Sequence, residues 1–580
     1  MTTTDTWQAA LDERDDLEKY GSNSLGLFAL VLHFGLEDIE SVATDAVVDG
    51  SDDKKCDIVY VDRNERVAVV AQCYQSQKAK DEAPANKASD LSTAIGWLVN
   101  AETATIPPKL RSAAQTLRQA LEEQAIDKIH IWYVHNLPES ENVGKELRVV
   151  ATGTEAVLKA AYPKFAVQVL AKEVGTTTFE LWYVETLTPI LVTDNFSIPT
   201  KGAFELNMGK WKACVAAIPT SFLRKAYRDN GVRLFSANVR DYLGARRSDS
   251  NINNGIMQTA KREPENFWAY NNGITVLVND FELGQNGKLT VRGLSVVNGA
   301  QTTGALGSVN DALGNAWVQA RFIKTSDQEI VSNVIRFNNS QNKVTAADFR
   351  STDRLQKRLR EEFASIPDAE YEGGRRGGSE SVIRRRKNLL PSFTVGQAIA
   401  SLHGEPVTAY NEKSAIWERD NLYTKFFNES TSTVHLVLAF SLLRSVEARK
   451  LELVRKAKNG NELTKSEDAQ VTFFRNRGST YLAAAAVAGC LEVILVRNIS
   501  SMFRLSFGNK TSPQRAQEYW SRIVTTLAPM FPRLEDALKP RLDNPARVKA
   551  TIDVFRGLVE ATAEGNKDIY AKFKATVHIK

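Results

Sequence analysis

The sequence predicts a multidomain α/β (α+β) protein with an N-terminal αβββαβ domain, a central mixed α/β domain and a C-terminal helical domain. Short β-type runs alternate with helical patterns through the first 200 residues, whereas helical periodicity alone continues from about residue 425. A block rich in Asn, Gly and Arg lies between them. A chain of 580 residues has room for roughly three to five domains. We place the boundaries at residues 1–140, 141–200 (an α/β connecting region), 201–420 and 421–580.

The order of elements in the first domain follows from local patterns. Residues 23–34 are apolar at helical spacing. Three β-type runs follow, at residues 42–48, 56–61 and 66–73, and the polar residues 62–65 form a turn between the second and third. A helical region at residues 86–124, interrupted near Pro107 and Pro108, leads to a strand at residues 128–134. The predicted order is therefore helix, three strands, helix and strand.

The remaining elements are predicted in the same way. Helices and strands alternate over residues 140–200, and this region ends in the β-type run 178–184. In the last domain the helices are expected at residues 434–455, 478–496, 512–527 and 544–560. The apolar run at residues 481–496 is short for a membrane span and contains Glu492, so we expect a buried helix there.

The composition excludes several classes of protein. Hydrophobic residues make up 43% and charged residues 25% of the chain, as in ordinary globular proteins. The net charge of +5 is mild and does not by itself indicate nucleic-acid binding. The four cysteines form no CxxC pair, the six histidines form no HExxH motif, and the chain has no GxSxG or GxxxxGK[ST] motif. The acidic, amphipathic N-terminus does not resemble a signal peptide, so we expect a reduced cytoplasm.

A carboxylate and a carboxamide are predicted to converge in the first domain. If residues 62–65 form the turn, Val61 pairs with Arg66, Asp57 lies near Val70, and Gln72 is diagonal to Asp57 on the same face. Hard divalent cations prefer oxygen ligands of these types. The alternative interpretation is structural, because both residues could simply close a strand end.

This arrangement resembles the Mrr-type branch of the PD-(D/E)xK nuclease superfamily, in which glutamine replaces the second acid. The resemblance implies that Asp57 and Gln72 hold Mg²⁺ or Mn²⁺, together with a backbone carbonyl near Cys73, and that the metal activates a water molecule. The family lysine belongs two residues after the glutamine, where this chain has Tyr74. Lys87 on the following helix is the best candidate for its catalytic role, and Lys78 and Lys80 are alternatives. The possibility that the nuclease domain is degenerate therefore stays open.

Carboxamide side chains are concentrated in the middle of the chain. Four clusters occur within about 120 residues, several of them beside aromatic or Arg residues. Because Asn and Gln carry a donor and an acceptor together, they suit the recognition of a base edge, a nucleotide or a peptide backbone. The candidate recognition residues are Asn271, Asn272, Asn298 and Gln301. The alternative is that Asn-Gly pairs form turns.

Four sequence words in this block resemble the AIPR family of bacterial abortive-infection, phage-resistance proteins. The words are "F…NVR…G", "NFW.YNNGIT", "VNG.QT" and "QN.V…DFRS", and they occur in this order over residues 230–355. The resemblance implies a role in phage resistance or in growth arrest on infection, without defining a reaction.

A basic segment follows the Asn-rich block. Glycines flank Arg375 and Arg376, and four further cations stand together shortly afterwards: Arg384, Arg385, Arg386 and Lys387. Glycines allow arginine to approach an anion closely, and guanidinium groups bind phosphates in bidentate geometry. We interpret these six residues as nucleic-acid-binding, with a solvated basic loop as the alternative.

Three hypotheses follow from the sequence. The first is a metal-dependent nuclease that cuts DNA or RNA on infection. The second is a non-catalytic module that recognises a nucleic acid, a nucleotide or a phage protein, with a degenerate nuclease domain. The third places chemistry on a nucleotide within the Asn-rich block. DNA or RNA is the expected partner, no membrane is expected, and a phage component, a neighbouring defence protein or a second copy of the chain stays open.

Overall fold

The N-terminal part of the computed structural model is built on a four-stranded sheet with helices on both faces. The structure describes residues 6–36, 38–48, 53–163, 166–187, 190, 192–235, 250–284, 287–309, 315–338, 350, 353–371, 373, 388–458 and 462–579. The elements of the first part are α1 (Trp7–Asp12), α2 (Asp15–Glu18), α3 (Asn23–Phe34), α4 (Ile39–Ala46), β1 (Ile58–Asp62), β2 (Val67–Tyr74), α5 (Ala85–Ile95), α6 (Pro108–Glu122), β3 (Lys128–His135), α7 (Glu141–Ala161), β4 (Gln168–Val174) and α8 (Thr176–Leu187).

The strands are ordered β1-β2-β3-β4, with β1 and β2 antiparallel and the other two pairings parallel. One face is covered by α5, α6 and α7, and the other by α1, α3, α4 and α8. The predicted helix at residues 23–34 and the predicted strand at residues 128–134 are confirmed. The β-type run at residues 178–184 lies instead inside α8.

The strand predicted at residues 42–48 is wrong. These residues lie largely in α4, and only Val47 forms a bridge, to Ile58. The helix forms because the Asp38 side chain caps it by accepting from the Ser41 N–H, while Ile39 and Ala43 are buried on one face. The sheet therefore has a mixed αββαβ core rather than the predicted three consecutive strands.

The hairpin register also differs from the prediction. Val61 pairs with Ala68 rather than Arg66, because the turn extends over residues 63–66. The Asp62 carboxylate starts this turn by accepting from the N–H groups of Asn64 and Glu65, and Arg66 has a left-handed backbone with φ 56°. The strands are consequently shifted by two residues relative to the expected pairing.

The central part is a seven-stranded sheet. Its main path runs β5-β10-β8-β11-β7-β6, and β9 pairs with β10. The elements are β5 (Val192–Pro199), β6 (Lys201–Asn207), β7 (Trp211–Pro219), α9 (Thr220–Asn230), a 3₁₀ turn (Gly231–Phe235), α10 (Ser250–Arg262), α11 (Phe267–Tyr270), β8 (Ile274–Val278), β9 (Asp280–Leu283), β10 (Lys288–Asn298), α12 (Ala300–Gly307), β11 (Trp317–Thr325) and α13 (Gln328–Asn338). Helices α9 to α12 bury one face, and α13 packs on part of the other.

The C-terminal part is helical and has the largest described core. Its elements are α14 (Arg354–Phe363), β12 (Glu370–Tyr371), β13 (Leu389–Leu390), α15 (Ser392–Leu402), α16 (Pro406–Asn411), α17 (Ala415–Glu418), α18 (Asp420–Phe426), α19 (Thr433–Lys458), α20 (Lys465–Phe474), α21 (Ser479–Gly489), α22 (Leu491–Leu495), β14 (Leu505–Ser506), α23 (Pro513–Leu527), α24 (Pro545–Ala561), α25 (Lys567–Lys574) and β15 (His578–Ile579). The predicted helices at residues 434–455, 512–527 and 544–560 are confirmed, whereas the one predicted at residues 478–496 forms two helices, α21 and α22, separated at Cys490. Helix α21 is buried in this core, as predicted.

Buried ion pairs join the first part of the chain to α19. Arg444 donates to Asp38 and Glu447 at 2.7 Å each, and all three side chains are almost fully buried. Lys450 of the same helix pairs with Asp45 of α4 at 2.9 Å. Helix α4 is therefore held between the N-terminal sheet and the C-terminal helices.

No described helix combines the length and the apolar character that crossing a membrane requires.

Two buried histidines make the C-terminal core sensitive to acid. The Nε2 atoms of His403 and His435 are 2.9 Å apart, and His435 Nδ1 lies 3.1 Å from the Leu505 carbonyl oxygen. The carbonyl only accepts, so His435 carries its proton on Nδ1 and accepts at Nε2 from His403. Burial lowers the pKa of His435 from 6.5 to about 4 and that of His403 to about 3.

We expect the free energy of unfolding to fall as the pH drops from 6.5 towards 4. The unfolded imidazoles bind protons first, so the stability present above pH 6.5 is lost progressively in this window. At pH 4, the effect of His435 alone lowers the free energy of unfolding by on the order of 3 kcal/mol. Denaturation of wild type and His435→Gln at several pH values measures this, with the exposed His578→Gln as a control. An identical pH slope in His435→Gln and wild type would contradict the expectation.

Candidate functional site

The carboxylate of Asp57 lies at the edge of the N-terminal sheet, immediately before β1. Its backbone N–H donates to the Ala71 carbonyl at 2.9 Å, and its Oδ2 accepts from the Cys73 N–H at 2.7 Å. Ile58 pairs with Ala71, and Asp57, which directly precedes β1, therefore bonds the backbone on both sides of Gln72, at Ala71 and at Cys73. The convergence of the Asp57 and Gln72 side chains stays a prediction.

Gln72 has a buried amide oxygen without a partner. The residue is 6% exposed, and Oε1 makes no hydrogen bond. In the parallel register, Gln72 pairs with Tyr133 of β3, whose buried hydroxyl also has no partner. Burial raises the pKa of this Tyr133 hydroxyl. Buried polar atoms are nearly always hydrogen-bonded, so each of these two atoms is a candidate to bind a water molecule, an ion or a ligand.

Two lysines surround Tyr74, the residue at the expected lysine position. Lys80 donates from Nζ to the Tyr74 hydroxyl at 3.1 Å, and its Nζ lies 5.8 Å from the ring centroid. Lys87 Nζ of α5 lies 5.3 Å from the same centroid. The hydrogen bond from Lys80, a second one from Ser76 and the charges of both lysines lower the pKa of Tyr74. The structure thus places two cations next to Tyr74.

The segment before Asp57 is attached to the helix that carries Lys87. Lys55 Nζ lies 3.4 Å from Asp90 Oδ2, one turn after Lys87 on α5. Lys54 Nζ lies 4.9 Å from the ring centroid of Trp97, in the π-helical turn that ends α5. These contacts hold the segment before Asp57 against the middle of α5 and the turn that follows this helix.

The donor set fits a hard divalent cation. One carboxylate and one unpartnered amide oxygen are the ligand types that Mg²⁺ accepts, and Mg²⁺ commonly takes its remaining ligands from water and substrate phosphate. Within the described residues, no three His, Cys, Asp or Glu side chains are grouped as a metal site. The candidate centre therefore consists of Asp57 and Gln72, with Lys80 and Lys87 nearby.

Sequence reasoning missed Tyr133 and gave Lys80 only a minor place. The alternation in the strand at residues 128–134 could have put Tyr133 on the same face as Gln72, because parallel strands share the register of their faces. No comparable signal pairs Lys80 with Tyr74, since the intervening residues 75–84 carry no regular structure. Lys78 makes only local backbone contacts with Ser76.

The Asn-rich words meet at the start of β8. Asn271 donates from Nδ2 to Thr302 Oγ1 at 3.1 Å, and its Oδ1 accepts from the Gly273 N–H at 2.9 Å. Gly299 has φ 92°, and a Cβ there would lie 2.4 Å from Ile274 Cγ2. The residues of "YNNGIT" and "VNGAQT" therefore allow the start of β8 and the end of β10 to pass close to each other. Both the nitrogen and the oxygen of the Asn271 carboxamide are hydrogen-bonded within the protein.

A second polar cluster lies beside this crossing. Thr275 pairs with Asn298 on one side and with Arg321 on the other. The Thr275 hydroxyl donates to Asn338 Oδ1 at 3.1 Å, and Arg321 donates to both Thr275 and Asn338. The side chains of Asn272 and Asn298 are exposed, whereas Gln301 is half-buried. The second and third words thus converge beside Asn338, which precedes the fourth word, and their recognition role stays a prediction.

Several predicted positions lie outside the described residues. They are the six basic residues Arg375, Arg376, Arg384, Arg385, Arg386 and Lys387, most of the first word and most of the fourth. The described Arg350 of the fourth word has a structural role. It donates to the Trp417 carbonyl at 3.1 Å, pairs with Asp420 and stacks 4.3 Å from the Tyr423 ring centroid.

The fold and these sites define a mixed α/β protein with a helical C-terminal part. Residues 235–486 match the family described as AIPR protein, which is the family that the four sequence words resemble. The matched segment extends from the end of the 3₁₀ turn after α9 into α21 and does not include Asp57, Gln72 or Lys87. No curated protein and no solved structure matches the chain.

Proposed function

We propose that this protein acts in abortive-infection defence against phage and that its N-terminal domain hydrolyses phosphodiester bonds of DNA or RNA with the help of a divalent metal. The AIPR match of residues 235–486 supports the defence role. One observation carries the hydrolytic role: Gln72 Oε1 is buried without a hydrogen bond, and Asp57 bonds the backbone of the residues on either side of Gln72. The central and C-terminal parts would then hold or sense the target.

In this proposal, Asp57 and Gln72 hold Mg²⁺ or Mn²⁺. A bound cation of this kind supplies Lewis acidity and lowers the pKa of its water. Gln72 is held rigidly for this task because it lies in a central strand, with β1 on one side and β3 on the other. Asp57 is held by the Cys73 N–H, which leaves the carboxylate no freedom to turn away from the strand end.

Lys87 and Lys80 supply the positive charge that the motif takes from its lysine. Their ammonium groups flank the Tyr74 ring, so they lie next to the position that a lysine would occupy. A fixed cation there stabilises the negative charge that develops on a phosphate during hydrolysis. Lys87 is carried by a helix, whereas Lys80 is on an irregular segment, so we assign the main role to Lys87.

The first experiment measures cleavage by the purified full-length protein. Plasmid, single-stranded DNA and RNA are incubated with Mg²⁺, with Mn²⁺ or with EDTA. We expect metal-dependent cleavage of at least one substrate, on the order of tenfold to a hundredfold weaker in Lys87→Gln, because one transition-state contact is lost. Lys78→Gln is the matched control and is expected to behave like wild type. Cleavage that persists in EDTA, or no cleavage on any substrate, would contradict the hydrolytic proposal.

A second candidate function is recognition without catalysis. It is favoured by Tyr74 at the lysine position and by the bond from the Cys73 N–H to Asp57, which gives this carboxylate a purely structural use. A recognition module predicts that nucleic acid or a nucleotide binds with equal affinity in EDTA and is not turned over. The same set of substrates, followed by a binding assay, separates the two functions.

A further inference from the structure

A polar cavity of about 220 Å³ lies between the N-terminal sheet and the C-terminal helices. Its walls come from α4, β1 and α6 on one side, and from α15, α16 and the segment before α21 on the other. The charged side chains that line it include Asp38, Asp45, Arg63, Lys413, Arg477 and Arg541. None of them belongs to the candidate centre at Asp57 and Gln72.

The deepest carboxylates of this cavity are already neutralised. Asp38 pairs with Arg444 and Asp45 with Lys450, and both of these cations are almost fully buried behind the wall. Asp45 also accepts from the Gly478 N–H at 3.4 Å. A third carboxylate, Asp62, also lines the cavity and accepts from the Tyr60 hydroxyl and from the N–H groups of Asn64 and Glu65.

Two cations of the wall have no such compensation. Arg477 donates from one terminal nitrogen to the Val59 carbonyl at 2.6 Å, and its Nε is buried without a partner. Lys413 lies 5.2 Å from the Phe393 ring centroid. Among the described residues, neither forms an ion pair with a carboxylate, in contrast to Arg63 and Arg541, which both pair with Glu123. Arg477 and Lys413 are therefore the described cations of this wall that no carboxylate neutralises directly.

We propose that this cavity binds a small phosphate-bearing ligand, with Arg477 and Lys413 contacting the phosphate. A monosubstituted phosphate carries about −1.5 to −2 charges at pH 7, which matches two cations. The guanidinium of Arg477 is a planar group of several donors, which suits phosphate oxygens. Tyr410 and Tyr481, whose ring centroids are 6.0 Å apart, line the same cavity and provide apolar surface for an organic group.

A ligand at this position would act on both parts of the chain. Arg477 directly precedes the Gly478 cap of α21, and it reaches across to the backbone of β1. A phosphate held by Arg477 would therefore reinforce the contact between the C-terminal helices and the strand that follows Asp57. Binding is measured directly, so its outcome does not depend on whether the protein hydrolyses nucleic acid.

The test is calorimetric titration of the full-length protein with inorganic phosphate, ribose 5-phosphate, adenosine 5′-monophosphate and uncharged adenosine. We expect saturable binding of phosphate-bearing probes and none of adenosine. Arg477→Gln should weaken binding at least about tenfold, because it removes a charged hydrogen-bonding partner. The exposed Arg515→Gln is the control and should bind like wild type. Tighter binding of the nucleotide than of phosphate assigns a nucleotide ligand, and equal binding assigns free phosphate.

The proposal is overturned if none of the three phosphate-bearing probes binds saturably, or if adenosine binds as well as the nucleotide does. It is also overturned if folded Arg477→Gln binds like wild type. If Arg477→Gln does not fold because the contact with Val59 is lost, Lys413→Gln tests the proposal in its place. Lys413 makes its described contact with a ring rather than with backbone, so this variant is expected to fold. Unchanged binding in Lys413→Gln would then overturn the proposal.

Discussion

Asp57→Asn is expected to reduce metal-dependent cleavage by on the order of a hundredfold or more, while the protein stays folded. The substitution removes the negative charge that a divalent cation needs, but it keeps an oxygen that accepts from the Cys73 N–H. Asp57→Ala would lose both, and the buried N–H left behind costs about 1–3 kcal/mol. Comparing the two variants separates the chemical role of the carboxylate from its structural one.

The matched control is Asp62→Asn at the other end of the same hairpin strand. The Asp62 carboxylate bonds the Tyr60 hydroxyl and the turn N–H groups, and it lies at the opposite end of β1 from Asp57. We expect this variant to cleave like wild type. A clean preparation of Asp57→Asn that cleaves at the wild-type rate would show that the activity resides elsewhere. Thermal unfolding of all three variants verifies that each is folded.

Arg444→Ala is expected to destabilise the protein by about 3–5 kcal/mol, which is the usual cost of breaking a buried ion pair by removing one partner. Asp38 and Glu447 would remain buried without their cation, and Ser41 would lose one of its contacts. Burial already raises the pKa of Glu447. Without Arg444 both carboxylates would bind protons more readily, so the loss of stability should shrink as the pH is lowered.

Denaturant unfolding, followed at neutral and mildly acidic pH, measures this effect. Arg515→Ala is the control, because Arg515 and Glu518 form a pair in which both side chains are more than half exposed. Exposed pairs contribute about 0–1 kcal/mol. A loss in Arg444→Ala no larger than that of the control would mean that the buried cluster does not hold α4 against α19. A loss independent of pH would contradict the proposed role of the two carboxylates.

The sequence predicted the helices better than the sheet edge. Helix α3, the interruption at Pro107 and Pro108, and the long C-terminal helices follow from periodicity and from proline, which are local properties. Helix α4 did not follow, because its composition is β-type. What stabilises it comes from about 400 residues away, where Glu447 bonds Ser41 and Lys450 bonds Asp45.

The candidate centre was predictable in its residues and not in its geometry. Asp57 and Gln72 stood out because of their positions beside two β-type runs. Their pairing depends on a turn that extends to Arg66, whose left-handed backbone is unusual for a residue with a Cβ. The partners of Tyr74 depend on an irregular segment and on the position of α5. In the central part, the sequence identified the words but did not indicate that residues of different words form hydrogen bonds with each other, as Asn271 and Thr302 do.

The hydrogen bond from the Cys73 N–H to Asp57 affects how substitutions of Asp57 and Gln72 in related chains should be interpreted. If the proposed metal site were lost in a related chain, that N–H would still need an acceptor, so aspartate or asparagine would persist at this position for reasons of folding. The buried Gln72 amide oxygen makes no hydrogen bond among the described residues, so it has no comparable role in folding. Replacement of Gln72 by an apolar residue would therefore be the first sign that the proposed metal site is no longer used.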